Sequence, residues 1–301
     1  MDPALSAGFP LVASYWTIAG DARLRMFGGT DYSPLDLRTR IETAAATGYA
    51  GIGFHSYDLQ HWADRYPSKV VAQLLADNGL RYVELEILRD WFVDGERRQD
   101  SDQTRRVLLE LAAELPITHI KAGSTFAPGQ WSPDYIAAEF AALCAQFAEA
   151  GTKVGVEPIP NAYLRTPPEV LAVIDLAGAP NGGVILDTWH TFRAGYPYER
   201  LSGIAPEKIV SIEIADGAAE PVIDLANDGC NYRKLAGEGA FRVTDWARAI
   251  LATGYCGHIG VENLSEENRQ RSLPEEARQN FSAAVRELSP LAAAYQANCA
   301  A

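Results

Sequence analysis

The sequence predicts an α/β fold, a single (β/α)8 TIM barrel, and three observations lead there. Short runs rich in Val, Ile and Tyr alternate with longer stretches of helical spacing along the chain. Eight such runs can be counted, most with a helical stretch behind them, and eight βα units in 301 residues suit a closed parallel barrel better than an open sheet. No Pro/Ser-rich linker and no change of composition divides the chain. Residues 1–301 therefore read as one barrel domain with a helical extension at its C-terminal end.

The strand candidates are 11–17 (LVASYWT), 50–54 (AGIGF), 81–86 (RYVELE), 117–122 (ITHIKA), 152–157 (TKVGVE), 183–187 (GVILD), 208–214 (KIVSIEI) and 257–262 (GHIGVE). Each is short and bounded by Gly or polar residues. Between the first two, residues 35–48 place Leu37, Ile41, Ala44 and Ala45 on one helical stripe that ends in Gly48. Residues 101–116 offer Ser101 and Asp102 as N-caps and stop at Pro116. Residues 132–151 carry Pro133 just inside the start and Gly151 just past the end, the asymmetry expected of a helix. The stretches 166–178, 243–254 and 273–289 repeat the pattern. Only 191–206, after the sixth strand candidate, has poor helical periodicity.

Composition narrows the function. With 48% hydrophobic and 22% charged residues the chain has enough apolar surface to fold into a large core. Its 26 basic against 39 acidic residues, a formal charge of −13, disfavour nucleic acid as a partner. No apolar run approaches the roughly 20 residues that cross a bilayer, so no membrane partner is expected. The first sixteen residues lack a charged segment before their apolar stretch, which argues against a secretory signal. Cys144, Cys230, Cys256 and Cys299 are scattered without a CxxC pair and read as free thiols of a reducing compartment. A cytoplasmic protein is expected.

In such barrels the reactive groups stand where strands end and the following loops begin. Applied here, that filter finds Glu157 at the end of the fifth strand candidate, Asp187 at the end of the sixth with His190 three residues on, Glu213 within the seventh with Asp216 after it, and Glu262 at the end of the eighth. Four successive strands thus deliver carboxylates to one mouth. Unpaired carboxylates are costly to desolvate and repel one another, and a divalent cation removes both penalties. Helix caps or salt bridges account for one such acid alone, but need not follow strand order. Glu213 is the least certain, because the alternation in SIEIAD also permits a place in the wall.

The motifs GVEPIP, ILDTWH, SIEIADG, RKLAGEG (Arg233 to Gly239) and GVENLS resemble the sugar phosphate isomerase/epimerase family, with the xylose-isomerase-like TIM barrel of ketose 3-epimerases, inosose dehydratases and hydroxypyruvate isomerases. They span about 110 residues, and the strand spacing upstream extends the likeness loosely over the barrel. The resemblance implies a metal held by a Glu, an Asp, usually a His, and a Glu from strands five to eight. Glu157, Asp187 and Glu262 match the acids, while Glu213 falls where the His is usual. A fourth carboxylate makes the site harder and favours Mn2+ or Mg2+, with Co2+ or Zn2+ as alternatives; otherwise three ligands and water complete it. His190 and Arg233 match residues that contact substrate. The resemblance also suggests a homodimer or homotetramer.

The N-terminal half adds His55, Glu86 and Lys121 at the mouth: Lys121 as an electrophile or acid, Glu86 as its counter-ion, His55 as a substrate contact. A barrel-stabilising Lys–Glu pair and a polar loop His are the bland alternatives. His61, His119 and His258 read as structural or exposed. Trp16, Trp91 and Trp189 sit near strand ends, where aromatic faces often pack on the C–H face of a sugar, although core packing is the expected role of any single one. The GEG at 237–239 lacks the context of a phosphate loop, and residues 27–30 (FGGT) read as a loop over the mouth.

Together these readings describe an enzyme that removes a proton beside the carbonyl of a sugar-like small molecule and stabilises the enediolate with a divalent metal. By resemblance to the ketose epimerases, Glu157 and Glu262 are expected to flank the substrate as the proton-transfer pair, giving an isomerase or epimerase of carbohydrate metabolism. The alternative on the same site is a lyase that expels a β-hydroxyl from a keto-sugar or keto-inositol. A metal-dependent apurinic endonuclease is disfavoured by 5 His and the negative charge. A non-catalytic binding barrel is the remaining reading.

Overall fold

A computed structural model describes residues 8–300, in which eight parallel strands close into a barrel in chain order. They are β1 Leu11–Ala13, β2 Gly51–His55, β3 Tyr82–Leu88, β4 His119–Gly123, β5 Lys153–Glu157, β6 Gly182–Asp187, β7 Ile209–Ile214 and β8 Ile259–Val261. Closure is made by β1 against β8, with Leu11 opposite Ile259 and Ala13 opposite Val261. Each candidate run from the sequence overlaps one strand, with β2, β4 and β6 reaching one residue beyond their runs, and two runs need larger correction. The first stops at Ala13, because Tyr15–Ile18 turns into a short helix whose residues are all buried. Tyr15 and Trp16 have strand-type side chains, yet packing beside Ala22, Leu24 and Leu264 decides their conformation. The third runs on to Leu88, two residues past the sequence boundary.

The helices follow their local signals where those signals are caps. Asp36 accepts a bond from the Thr39 amide and starts Leu37–Thr47, which Gly48 ends at φ 113°. Ser132 caps Pro133–Ala148, and Thr166 with Glu169 forms a capping box at the start of Pro167–Ala177. After β6 the helix Thr188–Arg193 and 3-10 turns over Tyr198–Gly203 and Pro206–Lys208 appear, in line with the poor periodicity there. Ser101 and Asp102 are not caps. Their helix is Glu96–Glu114, and its polar first turn (ERRQD) carries no apolar stripe to mark it. The cysteine reading also needs correction, since Cys256 and Cys299 form a disulfide with Cα atoms 5.1 Å apart. The bond ties the last helix, Ala292–Ala300, to the approach to β8; Cys144 and Cys230 are free. The start of the N-terminal segment, residues 1–7, and residue 301 lie outside the described residues.

Side chains alternate along each strand, so every second residue enters the barrel. The interior is unusually polar and is stacked in layers. Low in the barrel, Glu84, His119 and His258 bring ligand-type atoms within 4.8 Å of one another. Ser14 and Ser211 hydroxyls donate to Glu84 at 3.1 and 3.5 Å. Above this layer comes the ring of acids from β5 to β8. Room for that ring depends on Gly260, where a Cβ would meet Glu213 Cγ and Ser14 Oγ at 2.8 Å each.

Candidate functional site

The strand register places the acids at one height. Asp187 pairs with Glu213 across β6 and β7, Glu213 with Gly260 across β7 and β8, and Gly123 with Glu157 across β4 and β5. One oxygen each from Glu157, Asp187, Glu213 and Glu262 falls within 4.8 Å of the others, and all four residues are buried. Glu213 therefore faces the interior instead of the wall. Asp187 also starts the helix after β6 by accepting the His190 amide at 3.1 Å, so its backbone position fixes His190 beside the cluster.

Two cations stand among these acids. Lys121 Nζ donates to Glu213 Oε2 at 2.8 Å and to Glu262 Oε1 at 2.7 Å, and it lies 3.4 Å from Glu86 and 4.0 Å from Glu157. Arg233 donates to Asp187 Oδ2 at 2.8 Å and lies 3.1 Å from Glu262 Oε2. Burial opposes the Lys121 charge, but Glu157, Glu213, Glu262 and Glu86 outweigh it and hold its pKa well above the usual lysine value. For Asp187 too, burial is outweighed, here by Arg233 and His190, and its pKa falls to about 2. Glu213 and Glu262 are displaced the other way. Burial, with Glu262 repelling Glu213 and with Glu157 and Asp187 repelling Glu262, raises both despite Lys121.

Those opposed shifts test the fit of a metal. Four carboxylates against two fixed cations leave two negative charges, the deficit one divalent ion would fill. Glu157 Oε1 is buried with no hydrogen-bond partner, a cost of about 1–3 kcal/mol that a cation would remove. The donor set is all oxygen, which suits a hard ion. These residues are therefore able to hold a metal ion, with Lys121 sharing two of the same carboxylates.

A cavity opens over the cluster and is lined by Glu86, Lys121, Glu157, His190, Arg233 and Glu262, with Trp16, Trp189, Met26, Phe126 and Ile159 as apolar walls. His190 Nε2 stands 3.6 Å from Glu157 Oε1, its Nδ1 has no partner, and burial lowers its pKa, so its imidazole is neutral. Glu86 Oε1 is likewise buried without a partner. Burial, together with Glu262 and Glu157, pushes the Glu86 carboxyl up to about 8 against the pull of Lys121. His55 is displaced from the expected place: it lines an adjoining cavity, accepts the Tyr57 amide at 3.3 Å, and is held neutral by burial and by Arg89 and Arg25, with a pKa of about 3.

The remaining features fall into structural roles. His119 and His258 belong to the lower layer, and His61 stacks on Tyr32 at the surface. Trp91 is buried in the main core and donates to the Gly123 carbonyl, while Trp16 and Trp189 reach the cavity. The GEG loop wraps Asp216, which accepts from the Gly237 and Phe241 amides and binds no phosphate in doing so. Residues Leu24 and Met26, next to the FGGT loop, edge the mouth. One mouth residue escaped the sequence filter. Arg89 follows the true end of β3 at Leu88, and the boundary drawn at Glu86 left it outside the window.

A closed parallel barrel with carboxylates converging at the C-terminal ends of β5 to β8 defines a TIM-barrel protein whose mouth could hold a cation. Residues 41–281 match the family described as xylose isomerase-like TIM barrel, and the chain belongs to that family. Among curated proteins it is similar to the 3-dehydroshikimate dehydratases of Pseudomonas aeruginosa and Pseudomonas putida, at 25% identity over 238 and 236 residues. Those matches take in 76% of this chain and 36% of theirs, so the chain spans about a third of the length of these relatives. Among solved structures it shares the fold of the IolI protein with a bound zinc atom, with a TM-score of 0.78 at 17% identity over 93% of this chain and 98% of that one. A D-allulose 3-epimerase from Methylomonas sp. gives 0.67 at 18% identity over 92% and 95%. No helix among the described residues is long and apolar enough to cross a membrane.

Proposed function

We propose that the chain is a metal-dependent lyase that dehydrates a small polyhydroxylated keto compound, with 3-dehydroshikimate as the reference substrate. The observation that carries this reading is an asymmetry among the acids lining the cavity. Glu157 and Glu86 each keep one buried oxygen without a partner, whereas both oxygens of Glu262 are engaged by Lys121 and Arg233. Epimerisation by Glu157 and Glu262 calls for one of the two ionised, the other protonated, and both free to reach the substrate, and Glu262 is held by Lys121 and Arg233. Elimination calls for one base and one acid, and the pair here is unlike: Glu86 is protonated at neutral pH by the rise of its pKa to about 8.

A divalent ion held by Glu157, Asp187, Glu213 and Glu262, with Mn2+ or Mg2+ favoured, would supply a positive charge to polarise the substrate carbonyl and stabilise an enediolate. Glu157 takes the proton from the carbon next to that carbonyl with the carboxylate oxygen the ion would leave free, and neutral His190 stands 3.6 Å from its Oε1. The electron pair of that C–H bond moves to the carbonyl and then forms the new C=C bond as the β-hydroxyl leaves. Glu86 gives that hydroxyl its proton, so hydroxide departs as water. Lys121 holds Glu262 and Glu213 in place and keeps positive charge beside the developing enediolate, and Arg233 anchors Asp187 and Glu262. Positioned acid and base groups of this kind contribute about 10²–10⁴-fold in rate.

Proton NMR of 3-dehydroshikimate with the metal-loaded protein in D2O tests the reading. Dehydration gives the aromatic 3,4-dihydroxybenzoate. Incorporation of solvent deuterium without loss of water would instead assign an epimerase or isomerase, the outcome first expected from the sequence.

A further inference from the structure

We propose that Arg89 is an anion subsite of this cavity and that it makes the enzyme select a substrate carrying a carboxylate. The proposal rests on the dehydratase reading for its substrate class, but on separate residues for its geometry. Arg89 projects from the loop just after β3 and lines the cavity above the carboxylate cluster. It also lines a neighbouring cavity with Arg25 and Arg97, and so stands on the wall between the two.

What distinguishes it is the lack of a partner. Arg25 pairs with Asp31 at 3.6 Å and lies over the Tyr57 ring, and Arg97 pairs with Asp90 at 3.6 Å. Lys121 and Arg233 are taken up by the acids of the centre. Among the described residues no carboxylate pairs with Arg89, and its Nε is buried with no acceptor. Its guanidinium meets only the face of Phe126, 5.7 Å from the ring centroid. Its stem passes over Gly123, where an added Cβ would touch Arg89 Cγ at 3.5 Å.

A guanidinium held in a partly apolar wall without an acceptor carries an unmet demand for a planar anion. A carboxylate meets that demand with two parallel hydrogen bonds, which a neutral hydroxyl cannot do. The rest of the mouth is rich in acids, which would repel an anion placed anywhere near them. Among the described residues lining this cavity, Arg89 is thus the cation without a carboxylate partner that can attract a substrate carboxylate, and binding there would orient the reacting carbons toward Glu157 and Glu86. Neutral ketoses lack the group that this subsite reads.

Calorimetric binding of shikimate, a carboxylated polyol with no ketone to react, is compared with binding of its methyl ester, on the metal-loaded protein and on Arg89→Met. The native protein is expected to bind the acid at least tenfold tighter than the ester, and Arg89→Met to lose that preference while its melting temperature stays unchanged. Arg89→Lys should recover part of the preference. Equal binding of acid and ester by the native protein, no binding of either, or a preference that survives Arg89→Met would overturn the proposal. A preference lost in Arg89→Met together with no dehydration of 3-dehydroshikimate would leave the subsite standing and remove only the dehydratase reading.

Discussion

Glu157 and Glu86 line the same cavity and each keep an oxygen without a partner, and in the proposed reaction they take opposite tasks. Replacing Glu157 by Gln keeps its shape and removes the proton acceptor, so turnover should fall by about 10²–10⁴-fold with little change in melting temperature. A variant retaining native turnover would remove Glu157 from the chemistry. Glu86 acts through its protonated form, which exists below its pKa of about 8. Turnover should therefore hold at pH 7 and decline as pH rises through 8, and Glu86→Gln should both slow the reaction and lose that alkaline limb. An unaltered limb in the variant would assign it to another group. Of these details the sequence reveals the acids but not their states. Strand-end positions can be read from period-two alternation, whereas Lys121 reaching across the barrel from β4 to Glu213 and Glu262 is a contact over 92 and 141 residues that no local pattern records.

The barrel's elements are legible where a local signal has a local cause. Asp36, Ser132 and the Thr166–Glu169 box mark helix starts because a side chain bonds an amide two or three residues on. The start at Glu96 and the helix at Tyr15–Ile18 escape because solvent contact in one case and tertiary packing in the other decide them. The disulfide joins residues 43 apart and escapes for the same reason. The two kinds of contact should differ in energy as well. Ser132→Ala removes one cap bond to the Tyr135 amide and should cost about 1 kcal/mol. Arg40 and Asp58 form a fully buried pair at 2.6 Å between the helix Leu37–Thr47 and the helix Ser56–Trp62 after β2. Arg40→Leu leaves the buried Asp58 carboxylate without its charge partner, held by the Ser33 amide, and should cost about 3–5 kcal/mol. Urea denaturation of the two variants measures both, and equal losses would contradict the distinction.

At the scale of the whole molecule, the barrel has to keep a ring of like charges closed at one end. Lys121 and Arg233 meet half of the charge of Glu157, Asp187, Glu213 and Glu262, and the proposed cation would meet the remainder. A ligand bound only by the folded state stabilises it by about 2.7 kcal/mol at one hundred times its dissociation constant. With an unfolding entropy of roughly 2.1 cal/mol/K per residue, a chain of 301 residues should gain about 4 °C in melting temperature. Chelator-treated protein titrated with Mn2+, Mg2+, Co2+ or Zn2+ in a thermal melt measures this without reference to turnover. Asp187→Asn should abolish the response. Lys121→Met raises the unmet charge from two to three, so it should melt lower without metal and gain more from it. If none of the four ions moves the native melting curve, the ring is balanced by its own lysine and arginine, and the metal reading falls with it.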